Sequence, residues 1–363
     1  MTHRNGDRIA WLFRLGAVVL ALGLTTLVLW AAGAPPWAAY QQLLLGSIGS
    51  WTKVADVLVA WVPLLLATSG LLITFAAGLW NIGVEGQIVL GAIFTTWVLR
   101  LLQHSAWPPA LILAAAILAG ALGGALWAAL AGLLKTYGGV NEIFGGLGLD
   151  FVATALVLWL IFGPWKRPGI GSMSGTEPFP PQLWLPTMAG SRLSLWALGI
   201  GLLGAVVVYF LLQGTYYGLK LKAVGRNPRA AYLLGIPTQR MMLGAFLACG
   251  AFAGLAGAVQ VTAVYHRLIP AISSGYGWLG LMVAMLVNFQ PAWAPLVALF
   301  FAALNIGSIQ LPIVLKLDSS LSGVIQGTLV LSFLIMEGAR RWFAERRAAL
   351  EEAAADTSPG GAG

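Results

Sequence analysis

Residues 268–315 read LIPAISSGYGWLGLMVAMLVNFQPAWAPLVALFFAALNIGSIQLPIVL and carry no charged side chain over 48 positions. A transmembrane helix needs about 20 mostly apolar residues, so this stretch is long enough for two spans. Pro291 and Pro295 lie near its middle, where they favour a turn between the two helices. The stretch therefore predicts that the chain crosses a membrane more than once.

The composition of the whole chain points the same way. Its 363 residues are 59% hydrophobic and 9% charged, whereas soluble domains carry about 25% charged residues. So few charges cannot cover a water-facing surface, which excludes a soluble enzyme, a disordered chain and a nucleic-acid binder. With a single cysteine, Cys249, the chain forms no internal disulfide. We expect an all-α membrane protein that is surrounded by lipid and has no nucleic-acid partner.

Apolar runs of sufficient length predict about ten helical spans in a transmembrane domain at 15–338. The first run has no small-residue cleavage site before Pro35, so we expect a retained helix and not a signal peptide. The predicted spans are 15–33, 55–76, 84–102, 109–134, 147–163, 194–213, 241–264, 277–290, 292–309 and 320–338.

The positions of the basic residues predict the orientation. Twelve of the 20 lysines and arginines lie in three segments, 1–14, 214–240 and 339–363. Cytoplasmic segments of membrane proteins are enriched in Lys and Arg. We therefore expect both termini and segment 214–240 in the cytoplasm, and the long loop 164–193 outside. The net charge of +8 is then mostly an orientation signal.

Polar residues inside predicted spans are costly and are candidates for function. Asn81, Glu85 and Gln87 interrupt an apolar stretch that is rich in glycine. The cluster is either a helix break at a substrate path or gate, or a polar hairpin held by its own hydrogen bonds. We favour the structural interpretation, because buried polar groups need partners whatever the function.

A second polar group comprises Asn141, Glu142 and Asp150. Asp150 opens a predicted span, and it faces either a central passage or a partner such as Lys135. A looser set of amides consists of Asn288, Gln290, Asn305 and Gln310. Such amides either form hydrogen bonds with substrate hydroxyls or join helices to each other.

Motifs for catalysis, metal binding and nucleotide hydrolysis are missing from the sequence. There is no G-x-x-x-x-G-K-[ST] loop and no G-x-S-x-G elbow, and the three histidines lie far apart without cysteine or histidine partners at metal spacing. We expect no catalytic residue, no metal and no cofactor in this chain.

Segment 218–237, GLKLKAVGRNPRAAYLLGIP, is the longest polar stretch between predicted spans. Asn227 can cap a short helix at 228–234 that has Pro228 at its first position and ends at Gly235. We expect Gly225 to supply a positive φ before Asn227. The segment is either a docking helix for a soluble partner or an ordinary basic loop.

Segment 218–237 closely resembles the cytoplasmic loop of permease subunits from ATP-binding-cassette (ABC) importers of the ribose and nucleoside class. Residues 81–87, NIGVEGQ, resemble the family's N-I-G-x-E-G-Q motif, and residues 250–257, GAFAGLAG, are similar to its small-residue seventh helix. The likeness runs from about 55 to 338, and it favours the nucleoside (basic-membrane-protein) branch. Asp150 departs from the family pattern, in which we expect Asn.

The resemblance implies the permease fold of ribose and vitamin B12 importers, in the bacterial inner membrane. It implies three partners: a separate ATPase subunit, a substrate-binding lipoprotein or soluble protein, and a second permease subunit that is a different homologous chain. The ATPase subunit would couple to Lys220, Lys222, Gly225, Arg226, Asn227, Pro228, Arg229 and Gly235. The translocation path or gate would involve Asn81, Glu85, Gln87, Asn141, Glu142, Asp150 and Asn288.

Nucleosides are the expected substrates, with simple sugars or riboflavin-like ribosyl compounds as the alternative. An ion-coupled secondary transporter is a second class, in which Glu85 and Asp150 would be the coupling groups. A membrane enzyme acting on lipid-linked substrates is a third class, and the lack of clustered carboxylates, histidines or a basic phosphate pocket argues against it.

Overall fold

A computed structural model describes residues 16, 19–31, 33–169, 175–316 and 321–356, and these residues form helices with connecting turns and no strand. In the described residues, seven helices are long and apolar enough to cross a membrane. They are α3 (Trp51–Ala76), α4 (Val84–Leu102), α5 (Pro109–Thr136), α6 (Glu142–Phe162), α7 (Leu195–Gly214), α10 with its π-helical end (Thr238–Tyr265), and α12 with α13 (Ala294–Leu315). The fold class predicted from composition is confirmed as an α-helical membrane protein.

The chain divides into two compact units, of which the larger spans 47–306. In this unit α10 packs against α3, α4 and α5. Small residues allow the close contact, since a Cβ on Gly254 would overlap the carbonyl oxygen of Gly120. A Cβ on Gly257 would likewise overlap the carbonyl oxygen of Ile88. Membrane helices gain stability from such backbone proximity, because lipid supplies little hydrophobic driving force between them.

Helix α3 lies at the centre of the larger unit. It begins at Trp51, where Ser50 Oγ accepts a hydrogen bond from Lys53 N at 3.3 Å, and it is buried along most of its length. Helices α6 and α7 instead leave wide apolar faces exposed, including Phe151, Trp196 and Phe210. Apolar side chains that face outward suit a lipid environment, so α3 forms the interior of the bundle and α6 and α7 its rim.

Most predicted spans of the larger unit match observed helices within a few residues, but two need correction. The span predicted at 147–163 begins at Glu142, five residues earlier. The span predicted at 277–290 is wrong in length, since α11 (Tyr276–Leu286) has only 11 residues. Eleven residues extend about 17 Å, much less than the roughly 30 Å of a bilayer core. Positive φ angles at Asn288 and Phe289 prevent its continuation.

The smaller unit consists of residues 1–46 and 307–363. Its helices α1 (Val19–Ala31) and α2 (Pro36–Ile48) are bent by 111° relative to each other, and together they are long and apolar enough for one broken span or a re-entrant loop. Helix α13 (Gln310–Leu315) is followed by α14 (Leu321–Asp356), which continues well beyond the predicted end at 338. Leu29, Leu311 and Ile325 share a small apolar core. The predicted cytoplasmic segment 1–14 and the last seven residues lie outside the described residues.

The described residues thus hold seven spanning helices, or eight with the bent pair, against ten predicted spans. Two further short helices, α8 (Tyr216–Arg226) and α9 (Pro228–Leu233), lie between α7 and α10.

Candidate transport-path and coupling sites

The polar cluster at 81–87 lies at the turn between α3 and α4. Asn81 Nδ2 donates to Gln87 Oε1 at 3.0 Å, and Gln87 Nε2 donates back to Asn81 Oδ1 at 2.9 Å. Asn81 Nδ2 also lies 3.1 Å from the sulfur of Cys249 on α10. Both amides are 1% exposed, so each satisfies the other in a place that water does not reach. The break between two helices is as predicted.

Glu85 connects this turn to a helix almost 200 residues away. Its Oε2 accepts a hydrogen bond from Gly277 N at 2.7 Å, and its Oε1 accepts one from Gly275 N at 3.2 Å. These amides belong to the start of α11, where the first N–H groups of a helix have no partner within the helix and the dipole favours an anion. Glu85 therefore caps α11, a role that the sequence did not reveal.

Asp150 lies on the other side of the same turn. Its Oδ1 accepts a hydrogen bond from Gly86 N at 2.7 Å. Its Oδ2 is buried and finds no partner among the described residues, as is also true of Trp127 Nε1. A Cβ on Gly86 would lie 2.7 Å from Asp150 Oδ1 and 3.1 Å from Trp127 Nε1, so the carboxyl group and the indole both lie beside this glycine. The prediction that Asp150 opens a span is wrong, because Asp150 lies in the third turn of α6.

Asn141 and Glu142 form the start of α6. Asn141 Oδ1 accepts a hydrogen bond from Ile143 N at 2.9 Å, as an N-cap residue does. Lys135 Nζ lies 2.5 Å from Glu142 Oε2, so the lysine pairs with Glu142 and not with Asp150. These two residues fasten the turn between α5 and α6.

Asn288 stands apart from the buried cluster. It is exposed, with φ of 49°, in the turn after α11. The neighbouring ring of Phe289 lies 4.9 Å from that of Phe75 near the end of α3. The structure therefore places Asn288 at the end of the bundle where α3 ends, and brings Glu85, Gln87, Asn81 and Asp150 together in the interior.

Most of segment 214–240 folds into the two short helices α8 and α9, and its last three residues begin α10. Asn227 Oδ1 accepts a hydrogen bond from Ala230 N at 3.0 Å, and Pro228 occupies the first position of α9. Gly235 follows the end of α9 and has a φ of +80°. The cap, the proline and the terminal glycine are each where the sequence placed them.

Gly225 has a different role from the one predicted. It lies inside α8 and lacks a positive φ. A Cβ on Gly225 would overlap the carbonyl oxygen of Ala76 and lie 2.9 Å from the amide nitrogen of Gly78. Gly225 is therefore required for a close backbone approach. Through it, α8 contacts the turn between α3 and α4 that carries the polar cluster.

Comparison with known proteins relates this architecture to a transport family. Residues 53–334 match the family model described as branched-chain amino acid transport system / permease component. The chain belongs to this family of ABC importer permeases. The match covers nearly all of the larger helical unit and both sites described above, so this permease is a multi-pass membrane protein.

Curated relatives carry related names. A glucose ABC transporter permease protein of Haloferax volcanii is 31% identical to this permease, over 90% of this chain and 87% of the relative. Two guanosine ABC transporter permease proteins of Bacillus subtilis, NupP and NupQ, are each 28% identical. NupP aligns over 87% of this chain and 90% of its own, and NupQ over 68% and 79%.

The surface of the permease at α9 contains residues that the sequence analysis missed. Tyr232, Leu233 and Leu234 are 68%, 81% and 80% exposed, and they form an apolar tip on a polar segment. Arg226 and Arg229 beside them are also exposed. The signal in the sequence was the Tyr-Leu-Leu run at the end of a capped helix only six residues long.

The two lysines of α8 contact their own neighbours instead. Lys220 Nζ lies 4.4 Å from the centroid of the Tyr216 ring, and Lys222 Nζ donates to Gln213 Oε1 at 3.1 Å. The arginines are thus the more available cations of the segment.

Proposed function

We propose that this chain is the transmembrane subunit of an ATP-driven importer that carries nucleosides across a bacterial inner membrane. The observation that carries the proposal is the alignment with two guanosine permeases, one of which matches over nearly the full length of both chains. The proposal includes cytoplasmic termini and loop 164–193 on the outside. The chain itself performs no ATP chemistry.

We place the docking surface for the ATPase subunit at α8 and α9. Exposed aromatic and aliphatic side chains next to arginines are typical of partner surfaces. Tyr232, Leu233 and Leu234 would enter a cleft on the ATPase, while Arg226 and Arg229 meet its acidic groups. The close approach of Gly225 to Gly78 would pass the resulting movement to the turn between α3 and α4. Because that turn joins Glu85 to α11, the movement would reach the interior of the bundle.

Two further partners complete the proposed importer. NupP and NupQ are two homologous guanosine permeases from a single organism, which supports a second, different permease chain beside this one. A binding protein or lipoprotein would deliver the nucleoside to the outer face, at loop 164–193.

A simple sugar is the second candidate substrate, because the relative at 31% identity is named a glucose permease. Uptake by cells that express the complete importer separates the two candidates. We expect labelled guanosine to accumulate, and excess unlabelled guanosine, but not glucose, to compete. Accumulation of glucose without guanosine would assign the importer to sugars, and accumulation without any ATPase subunit would favour an ion-coupled transporter.

A further inference from the structure

Backbone hydrogen bonds attach segment 175–193 to the C-terminal end of α10. Leu185 N donates to Thr262 O, and Phe179 N donates to His266 O, each at 2.9 Å. Thr176 N donates to Leu268 O, also at 2.9 Å. The segment is therefore a fixed part of the larger unit, although it has almost no regular secondary structure.

The end of α10 departs from regular α-helix at the same place. Residues Gln260–Tyr265 form a π-helix, and His266 follows with φ of 55°. π-helical turns often mark functional sites, and a non-glycine residue with positive φ is held there only by its surroundings. Both departures face the segment that contributes Leu185 and Phe179, because Thr262 O and His266 O are the acceptors.

A cavity of about 660 Å³ lies between the π-helical end and the attached segment. This volume is within the range of roughly 300–1,000 Å³ that is usual for small-molecule sites. The rings of Trp184 and His266 stack at 3.9 Å with an angle of 11° and form part of its wall. Trp184 Nε1 donates to Phe179 O at 2.8 Å, which fixes the indole in this position.

Beside apolar residues such as Leu185 and Val264, the cavity wall carries several hydrogen-bonding side chains. Gln182, Thr187, Ser191 and Arg192 provide an amide, two hydroxyls and a guanidinium. None of the described residues that line the cavity carries a carboxylate. The lining therefore suits a neutral or anionic ligand that combines a planar ring with hydroxyl groups, and it disfavours a cation.

We propose that this cavity is a nucleoside-binding site, in which the base lies against the Trp184–His266 pair and the ribose hydroxyls bond to the polar rim. This inference rests on the proposed function, and it specifies where in this chain the substrate first binds. It lies at the opposite end of α10 from α8 and α9. Because Thr238–Tyr265 has 28 residues and extends about 42 Å, the two regions lie at opposite faces of a bilayer.

Binding of tritiated guanosine to the full-length chain in lipid nanodiscs, without any binding protein, tests this site. Gln182 is exposed on the rim, so Gln182→Ala removes a hydrogen-bonding group without disturbing a buried contact. We expect about a fivefold to tenfold weaker affinity, the effect of one lost hydrogen bond. Trp184→Leu should weaken binding further by removing the stacked ring. Gln103→Ala is the matched control, since this glutamine lies outside the cavity at the end of α4.

The outcomes separate the site from the proposed function. Weaker binding in both cavity variants, with wild-type affinity in Gln103→Ala, supports the site. Equal binding in all variants, or guanosine uptake by the complete importer without binding to this chain, overturns the site and leaves the function standing. Failure of the complete importer to take up guanosine overturns the function and, with it, the nucleoside assignment of the cavity.

Discussion

Single residues at the turn between α3 and α4 hold distant parts of the chain together. Glu85 spans the longest distance in sequence, because its carboxylate accepts hydrogen bonds from Gly275 N and Gly277 N at the start of α11. Hydrogen bonds to a charged group contribute more than neutral ones. The position of Glu85 thus makes the turn and α11 one structural element.

Glu85→Ala should lower the thermal stability of the purified protein and leave its substrate preference unchanged. It leaves two backbone N–H groups without their acceptor, and each unsatisfied buried group costs roughly 1–3 kcal/mol. Thermal unfolding in detergent measures the effect, with Glu177→Ala at an exposed position as the control. A variant with wild-type stability and altered substrate preference would instead place Glu85 in the substrate path.

Substitutions of Asp150 test whether an ionisable group is needed inside the bundle. Asp150→Asn keeps an acceptor oxygen for Gly86 N, so we expect near wild-type stability and uptake. Asp150→Ala removes that acceptor and should cost roughly 1–3 kcal/mol, seen as a lower unfolding temperature. Loss of uptake in Asp150→Asn, with normal stability, would show that the charge itself is required, as in an ion-coupled transporter.

The sequence predicted which residues at this turn are polar, and that the helix breaks there, but not all of their partners. Asn81 and Gln87 are only six positions apart in the sequence, and their mutual hydrogen bonding follows from this short spacing. Glu85 pairs with amides 190 and 192 positions away. Such contacts depend on how the helices pack, and glycine amides give no side-chain signal in a sequence.

Local capping signals mark where several helices begin, whereas the end of one helix has no such signal in the sequence. The caps at Ser50, Asn141 and Asn227 are local signals, and α3, α6 and α9 begin after them. The end of α11 at Leu286 lies inside a long uncharged stretch, so hydropathy could not reveal it. Backbone dihedral angles at Asn288 and Phe289 set that boundary.

The contact between α8 and the α3–α4 turn should be necessary for energised uptake. Gly225→Ala places a methyl group against the Ala76 carbonyl and forces the two elements apart, at a cost of about 1–3 kcal/mol. We expect normal insertion into the membrane and at least a tenfold loss of ATP-dependent uptake, measured with labelled guanosine.

Gly214→Ala is the matched control for this contact. Its Cβ would meet only the Phe210 ring, at an ordinary distance of 3.7 Å. Full uptake in Gly225→Ala would contradict a coupling role for α8, and equal loss in both variants would point to a general loss of folding.

The account of the whole molecule depends on which ends of the helices face the cytoplasm. We expect a membrane-impermeant maleimide, added to intact cells, to label Thr187→Cys and not Gln239→Cys. Both positions are exposed, Gln239 in the first turn of α10, and the native Cys249 is fully buried, so it contributes no background. Labelling of Gln239→Cys alone would reverse the topology and place the cavity on the same side as the ATPase.

Transport driven by ATP is the central claim, and reconstituted proteoliposomes test it most directly. The chain, its companion permease, the ATPase subunit and the binding protein are placed in vesicles with ATP on the ATPase side. We predict that labelled guanosine accumulates against its gradient only with ATP, and that accumulation stops when the ATPase subunit is omitted. Accumulation by this chain without ATP, driven by a sodium or proton gradient, would contradict the account.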